Sequence, residues 1–564
     1  MKKLEIYQTS SLNKTLINSD DIPYTIDRIS CLKGEEVSYQ IVYRPVNKPV
    51  YTDAIRYDAE LIIDSPIKNM VTVRRVGNVP VELAAYTERE RGCDDYYISY
   101  ESGLYPDPLF DMDTNILEMV PSYKNAKALW VSVNIPENIP AGTYPVNVTI
   151  KSSKESVEES VCMNIEVIDA VLPPQEIIVT QWFHTDCLAD FYGVEIFSER
   201  YWAIVEEFAK TAAFNGINML LTPIITPPLD TEIGRERPTV QLVDIAYADG
   251  KYSFGFDKFK RWVEMCKRCG IKYFEMAHLF SQWGAKYAPK VVVRENGKLI
   301  NKFGWHTDAA SDEYADFLRQ FLPQLTAILE ELGISKNTFF HISDEPNASN
   351  QNTYKDARSI VSPLLEGYKI IDCFSDFVLY KNGLVTKPIV GIDEMESFIE
   401  NGVKNLWTYY CCSHTVGVSN RLMSMPSSRN RIIAYQFYKY DIEGFLQWGY
   451  NFYYTQFSRS KINPFYVTDA GCAFPAGDAF SVYPGNDKAI ESLRLKVFKE
   501  ALQDLSALKL LEKYMSKEEI IELIEKEAAM EIDFKKYPRG DDFILRMREK
   551  VNMLIKHNLE RSGK

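Results

Sequence analysis

To about residue 170, apolar and polar positions alternate in short runs: "EEVSYQIVYRPV", "AELIIDS", "VTVRRVG", "ALWVSVNIP", "GTYPVNVTIKSS" and "SVCMNIEVID". Successive side chains of a strand face opposite ways, so each run predicts a strand with one face on a core. Pro, Gly, Asn and Asp separate the runs and no helical period intervenes, which predicts a β-sandwich over residues 1–172. Within it "ESGLYPDPLFDMD" (Glu101 to Asp113) is too rich in proline for a strand and reads as a long loop.

"VLPPQE" punctuates the chain, because Pro173 and Pro174 continue neither a ladder nor a helix. Beyond it the period alternates between strand and helix. The predicted strands are "EIIVTQWFHTD", "GINMLLTPI", "KYFEMAHLF", "TFFHISDEP", "KIIDCFSDF", "NLWTYYCCS", "RIIAYQFYK" and "GFLQWGYNFYY". The clearest helix between them is "DEYADFLRQFLPQLTAILEELG", stopped by Gly333. Eight β-then-α units over about 300 residues predict a (β/α)8 TIM barrel across residues 173–510. An open doubly wound sheet fits less well, since no G-x-G-x-x-G follows the first strand and no P-loop occurs. Residues 511–564 read as a charged helical extension packed outside the barrel.

Composition narrows the function classes. Aromatics make up 13% of the chain, which suits sugar-binding faces as well as large cores, and a formal charge of -14 argues against nucleic acid as a partner. No run of about 18 apolar residues predicts a membrane span. The opening "MKKLEIYQTSSLNK" has no apolar stretch behind its lysines, so a secretion signal is not predicted and a cytoplasmic location is expected. Ten cysteines without regular spacing fit thiols in a reducing compartment. "CKRC" lies in an amphipathic helical pattern with no second pair at zinc-ligand spacing, so no metal is expected there.

In such barrels chemistry gathers where strands end. The predicted ends supply Trp182 and His184, then Asn218 with Thr222, then His278 with Trp283 in its loop. The same long loop carries "RENGKL", a hairpin signal at Asn296-Gly297, and delivers Trp305 and His306. Asp344 and Glu345 end strand four, Asp376 strand five, Trp407 and Tyr409 strand six, Tyr435 and Gln436 strand seven, Trp448 and Tyr450 strand eight. Aromatic faces interspersed with hydrogen-bonding groups suit a sugar ring, whose C–H face stacks while its hydroxyls need partners.

Two carboxyls in such a cleft point to glycoside hydrolysis, yet conventional glycosidases set their carboxyls about 5 Å or more apart across the substrate, usually on different strands. Neighbouring acids make sense when they serve adjoining carbons of one sugar. If a 2-acetamido oxygen attacks C1, one carboxyl protonates the leaving oxygen and the other holds the acetamido N–H and the oxazolinium charge. On that logic Glu345 is the acid and later the base, and Asp344 the polarising anion. Mutual repulsion helps keep one of the two protonated. The alternatives are capping of the following segment, a conventional retaining glycosidase with Asp376 or Glu275 as nucleophile, a noncatalytic glycan-binding barrel, and a metal hydrolase built on His341 and Asp344.

"HISDEP", "GLYPDPL", "GFLQWGYNFY" and "PAGDAFSVYPG" followed by "ESLRLKVFKEALQD" together resemble glycoside hydrolase family 123, over nearly the whole chain. The resemblance implies an N-terminal sandwich, a catalytic barrel and retaining, substrate-assisted release of terminal β-linked N-acetylgalactosamine (GalNAc), including from glycosphingolipid glycans. It implies no metal or cofactor, and it carries the catalytic pair onto Asp344 and Glu345. By similarity to related hexosaminidases, Tyr409, with Tyr435 second, would bond the acetamido oxygen, and Trp407, Trp448 and Trp182 would wall its methyl. His278, His184 and Asp376 are candidates for the axial O4. The oligomeric state is left open.

Overall fold

The computed structural model describes residues 4–19, 23–45, 57–86, 92–119, 125–153 and 156–562. Contacts divide the chain into two compact units: residues 1–176, 415–439 and 490–564 in one, residues 177–414 and 440–489 in the other. The linear division into three consecutive domains therefore does not describe the packing. The helices Ser427–Arg431, Ile433–Lys439 and Leu493–Leu511 group with the sandwich.

The first unit holds two five-stranded sheets around one core. One sheet runs in the order Leu4–Ser10, Glu36–Pro45, Lys127–Asn134, Val71–Val81, Gly103–Asp111; the other runs Arg28–Lys33, Val157–Val171, Gly142–Ser152, Tyr57–Asp64, Ile116–Met119. Ile41, Leu129 and Val131 of the first sheet meet Val148, Ile150 and Ile165 of the second in a core closed to solvent. The alternating runs are strands as expected, with Val46 outside the described residues.

The proline-rich segment is not a loop. Gly103–Asp111 is an edge strand of its sheet, where Pro106 and Pro108 leave few ladder bonds unmade. Opposite it the ladder bulges at Gly77, where an added Cβ would lie 2.2 Å from the Phe110 ring. Asp107 of this strand pairs with Arg494 through two 2.9 Å bonds, both residues buried. "GLYPDPL" and "ESLRLKVF" are thus two halves of one lock. The C-terminal helix Asp541–Ser562 belongs to this unit too, Arg548 joining Glu35 and Asp504, and Asn552 donating to Ser30.

The second unit contains a closed barrel of eight parallel strands: Ile178–Gln181, Met219–Thr222, Tyr273–Met276, Thr338–Phe340, Lys369–Cys373, Lys387–Gly391, Trp407–Tyr409 and Gly444–Gln447. Two strand assignments change. "KPIVG" is strand six, so Trp407–Tyr409 is strand seven. "RIIAYQFYK" is helical: Ile433 to Tyr438 are buried on every side, and a continuous apolar run carries no period that separates helix from strand. The Asn296-Gly297 hairpin forms as expected, both residues left-handed, between Val291–Glu295 and Lys298–Phe303. It extends a four-stranded sheet with Asp244–Ala248 and Lys251–Gly255 that the patterning missed. No helix among the described residues is long and apolar enough to cross a membrane.

Candidate active site

Interior positions of the barrel recur every second residue: Ile178, Met219, Leu221, Phe339, Ile371, Ile389 and Trp407 fill it, and Trp182, Tyr409 and Trp448 extend the stack toward the carboxyl ends of the strands. Strand four ends at Phe340, and the chain then places His341, Asp344 and Glu345 over that end.

His341 is fully buried and clamped. Its Nε2 lies 2.6 Å from Glu275 Oε1 and its Nδ1 3.2 Å from Asp372 Oδ1. Glu275 also accepts from Trp182 Nε1 at 2.8 Å and from the Thr180 hydroxyl. Asp372 accepts from the Ile342 N–H and from the Tyr354 hydroxyl. Burial alone would favour the neutral ring, but the bonds to Asp372 and Glu275 prevail and raise the His341 pKa to about 9, so the ring is a cation at neutral pH. His278 stacks on it at 4.2 Å between centroids and 17° between planes, with Trp182 edge-on to both. Burial, then the neighbouring His341 charge, push His278 well below its ordinary pKa. Both of its ring nitrogens are buried without a hydrogen-bond partner in the protein.

Asp344 and Glu345 follow, partly accessible. Burial first and the Glu345 charge second push the Asp344 carboxyl well above the usual carboxylate range, so the two neighbouring acids do not ionise independently. Glu345 has left-handed backbone, φ +46°, and its Oε1 accepts from the Tyr409 hydroxyl at 2.9 Å. The next helix begins at Gln351 behind Asn350, too far along the chain for either acid to cap it.

Residues 182–511 match the family description "Glycoside hydrolase 123, catalytic domain". The chain belongs to glycoside hydrolase family 123. Among solved structures, a family 123 glycoside hydrolase from Clostridium perfringens, analysed for glycolipid glycan hydrolysis, aligns over 100% of both chains with a TM-score of 0.73 at 14% identity. A Parabacteroides merdae β-glucuronidase aligns over 89% of this chain and 52% of its own at 9% identity, with a TM-score of only 0.30. No curated protein matches.

In this family 123 chain several expected site residues lie elsewhere. Asn218 precedes strand two and ties the opposite end of the barrel, accepting from Val179 N–H at 2.8 Å and donating to Ile177 O at 3.0 Å. Trp407 opens strand seven, fully buried, its Nε1 on Glu443 at 3.1 Å; Gly444 makes room for the indole, since a Cβ there would lie 2.1 Å from it. Trp407 is barrel filling, not pocket wall. Tyr435 and Gln436 sit on a buried helix of the first unit, bonded to Ile544 and to Ser419 and Asp533. Thr222 faces outward to Trp262.

Others are at the mouth but already engaged. Asp376 caps the helix Phe377–Lys381 through Leu379 N–H at 3.0 Å. His184 is buried between Arg237, which donates to Nδ1 at 3.2 Å, and the Trp448 carbonyl at 3.0 Å from Nε2. Trp448 in turn donates from Nε1 to Asp478 at 2.8 Å, and Gln447 donates to the same residue, so the "PAGD" aspartate sets the end of strand eight. His306 is exposed on the hairpin loop, near the Lys302 carbonyl.

Asp372 was not legible as a site residue from the sequence, and Glu275, expected there only as an alternative nucleophile, instead holds Trp182, Thr180 and His341 inside the barrel. The available signal was a lone acid within each apolar strand, "KYFEMAHLF" and "KIIDCF", with His341 in a third. His278, His341 and Asp372 do present ligand atoms within 4.8 Å of one another. A divalent cation there would have to displace the His341 proton and break its bonds to Glu275 and Asp372, so these residues suit a proton better than a metal.

Proposed function

We propose that this glycoside hydrolase is an exo-acting β-N-acetylgalactosaminidase that works by substrate-assisted catalysis, with retention. The carrying observation is the adjacent pair Asp344-Glu345 at the barrel mouth while other candidate nucleophiles are engaged. Both oxygens of Glu275 accept hydrogen bonds inside the barrel, and Asp376 caps a helix. That leaves the nucleophile to the substrate.

In this reading the acetamido oxygen attacks C1 as the glycosidic bond breaks, and the Glu345 proton passes to the leaving oxygen. Asp344 accepts the acetamido N–H and faces the positive oxazolinium. Water then opens the ring at C1 and returns a proton to Glu345, so two inversions give net retention. As Glu345 turns to the glycosidic oxygen it releases the Tyr409 hydroxyl, which becomes available to the acetamido carbonyl. Trp182 and Trp448, which pack in one cluster with Tyr409, are the side chains we assign to the acetamido methyl. His278, with two unpartnered nitrogens, is the group we assign to a sugar hydroxyl, axial O4 being the candidate. GalNAc-terminated glycolipid glycans are the proposed substrates, a class supported by the glycolipid glycan hydrolysis described for the C. perfringens protein.

The test is a panel of p-nitrophenyl β-glycosides of GalNAc, GlcNAc and galactose. The reading expects GalNAc first, galactose inert, Glu345→Ala nearly inactive, and Asp344→Asn severely impaired without rescue by azide. Equal cleavage with and without the acetamido group would favour the conventional retaining mechanism, and sugar binding without turnover would favour a noncatalytic barrel.

A further inference from the structure

Trp283 is the anomaly of the mouth. Its side chain is 44% exposed, and its backbone is left-handed at φ +58°. An indole gains most when buried, and left-handed backbone is unfavourable for a non-glycine residue. Stability explains neither feature, yet the surrounding bonds enforce both. The Trp283 N–H donates to the Asp344 carbonyl at 2.9 Å. Ala285 N–H donates to Ser343 Oγ at 3.1 Å, and that hydroxyl donates to Ser281 O at 2.7 Å. Gly284 has the Asn350 side chain where a Cβ would be, at 2.5 Å. The turn bearing Trp283 is therefore stapled to the turn bearing the two acids.

The outer side is equally fixed. Phe457, in the loop after strand eight, meets the indole edge-on, with centroids 5.7 Å apart and planes at 88°. The Arg459 guanidinium lies 5.0 Å from the centroid of the Phe457 ring. Asp230, after strand two, accepts Phe457 N–H at 3.0 Å and Ser458 Oγ–H at 2.7 Å, while its own N–H donates to Gln282. Asp230, Trp283, Glu345 and Phe457 all have positive φ, so backbone strain from four loops gathers at one rim.

From these contacts we infer that Trp283, braced by Phe457, is the platform for the leaving-group sugar. The inference rests on the proposed cleavage at Glu345. An exo-acting enzyme takes the terminal sugar into the depth of the mouth, where Trp182 and Tyr409 are buried, and the rest of the glycan must leave past the rim. The partly exposed indole stands on the turn stapled to that of the acids, and we place the way out across it. A flat, immobile aromatic face suits the C–H face of a hexopyranose, and holding it in place beforehand lowers the ordering cost of binding. The ligand class is a hexopyranose to which GalNAc is β-linked, with galactose as the probe.

Calorimetric titration of full-length Glu345→Gln with GalNAc and with a disaccharide of GalNAc β-linked to galactose tests this. The disaccharide is expected to bind about three- to tenfold more tightly than GalNAc, the reach of one aromatic contact. That advantage should vanish with Trp283→Ala added and survive in part with Trp283→Phe. A disaccharide advantage that persists without the indole overturns the platform, as does a parent that binds GalNAc but gains nothing from galactose. A parent that binds neither sugar overturns the functional reading and the platform with it. If Trp283→Ala disturbs the acid turn and loses GalNAc as well, Trp283→Phe and Phe457→Leu carry the comparison, and an undiminished disaccharide advantage in both is the contrary result.

Discussion

The Tyr409 hydroxyl donates to Oε1 of Glu345 across 2.9 Å, joining the seventh barrel strand to the turn after the fourth. In the proposed cycle this hydroxyl holds the acid in the free enzyme and moves to the acetamido oxygen as the acid turns to its task. Tyr409→Phe should lower kcat about a hundredfold, the scale of one lost donor at a developing charge, with a smaller change in KM. Steady-state kinetics on the aryl GalNAc substrate check this; a change confined to KM would mean the hydroxyl only binds.

His341 supplies a prediction with a definite sign. Its pKa rises from the ordinary 6.5 to about 9 on folding, so the folded protein holds this proton more tightly than the unfolded chain. The stabilisation is complete below about pH 6.5 and disappears as pH climbs through about 9. Melting temperatures of wild type and His341→Gln should therefore differ most near neutral pH or below and converge on the alkaline side. A gap independent of pH would mean the ring is not charged between Glu275 and Asp372.

His278 offers two buried ring nitrogens with no partner in the protein. If one of them bonds the axial hydroxyl, His278→Phe should reduce the preference for GalNAc over GlcNAc by about tenfold, the worth of one good hydrogen bond. The ratio of kcat/KM on the two aryl glycosides reads this directly, and a general loss that leaves the ratio unchanged would make the residue structural.

Asp478 acts through Trp448. Asp478→Ala would strand the indole N–H, at a cost of about 1–3 kcal/mol for a buried group left unpaired, while Gln447 keeps its bond to the Asp478 backbone carbonyl. Urea denaturation should register that loss. Activity should fall with it, and Asp478→Asn should restore both in part because its side-chain oxygen still accepts.

The sandwich and the barrel were legible because both depend on period and order: alternating runs first, then strand and helix in turn. What failed were segments without a period. From Ile433 to Tyr438 the helix is buried all round and so looks like a strand, while "KPIVG" is bracketed by a proline and a glycine that read as breakers. The barrel still closed at eight because one error removed a strand and the other added one. Strand-end logic survives such slips only at the end itself: Tyr409 closes its strand whatever the strand's number, whereas Trp407, two residues earlier, and Asn218, one residue before its strand, fall to the other end of the barrel. Asp344 and Glu345 stood out because two adjacent acids follow an apolar strand. Asp372 did not, and Glu275 stood only as an alternative nucleophile, because a buried acid declares its part only through the partner it meets in three dimensions, here His341.

In the proposed mechanism the substrate, not the protein, forms the first bond to the anomeric carbon. The thiazoline derived from GalNAc copies the resulting bicyclic intermediate, so its inhibition of aryl-GalNAc hydrolysis is the most direct measurement. Competitive inhibition at least about a hundredfold tighter than by GalNAc itself is predicted, as for an analogue of a catalytic intermediate. A thiazoline that inhibits no better than the free sugar would contradict it.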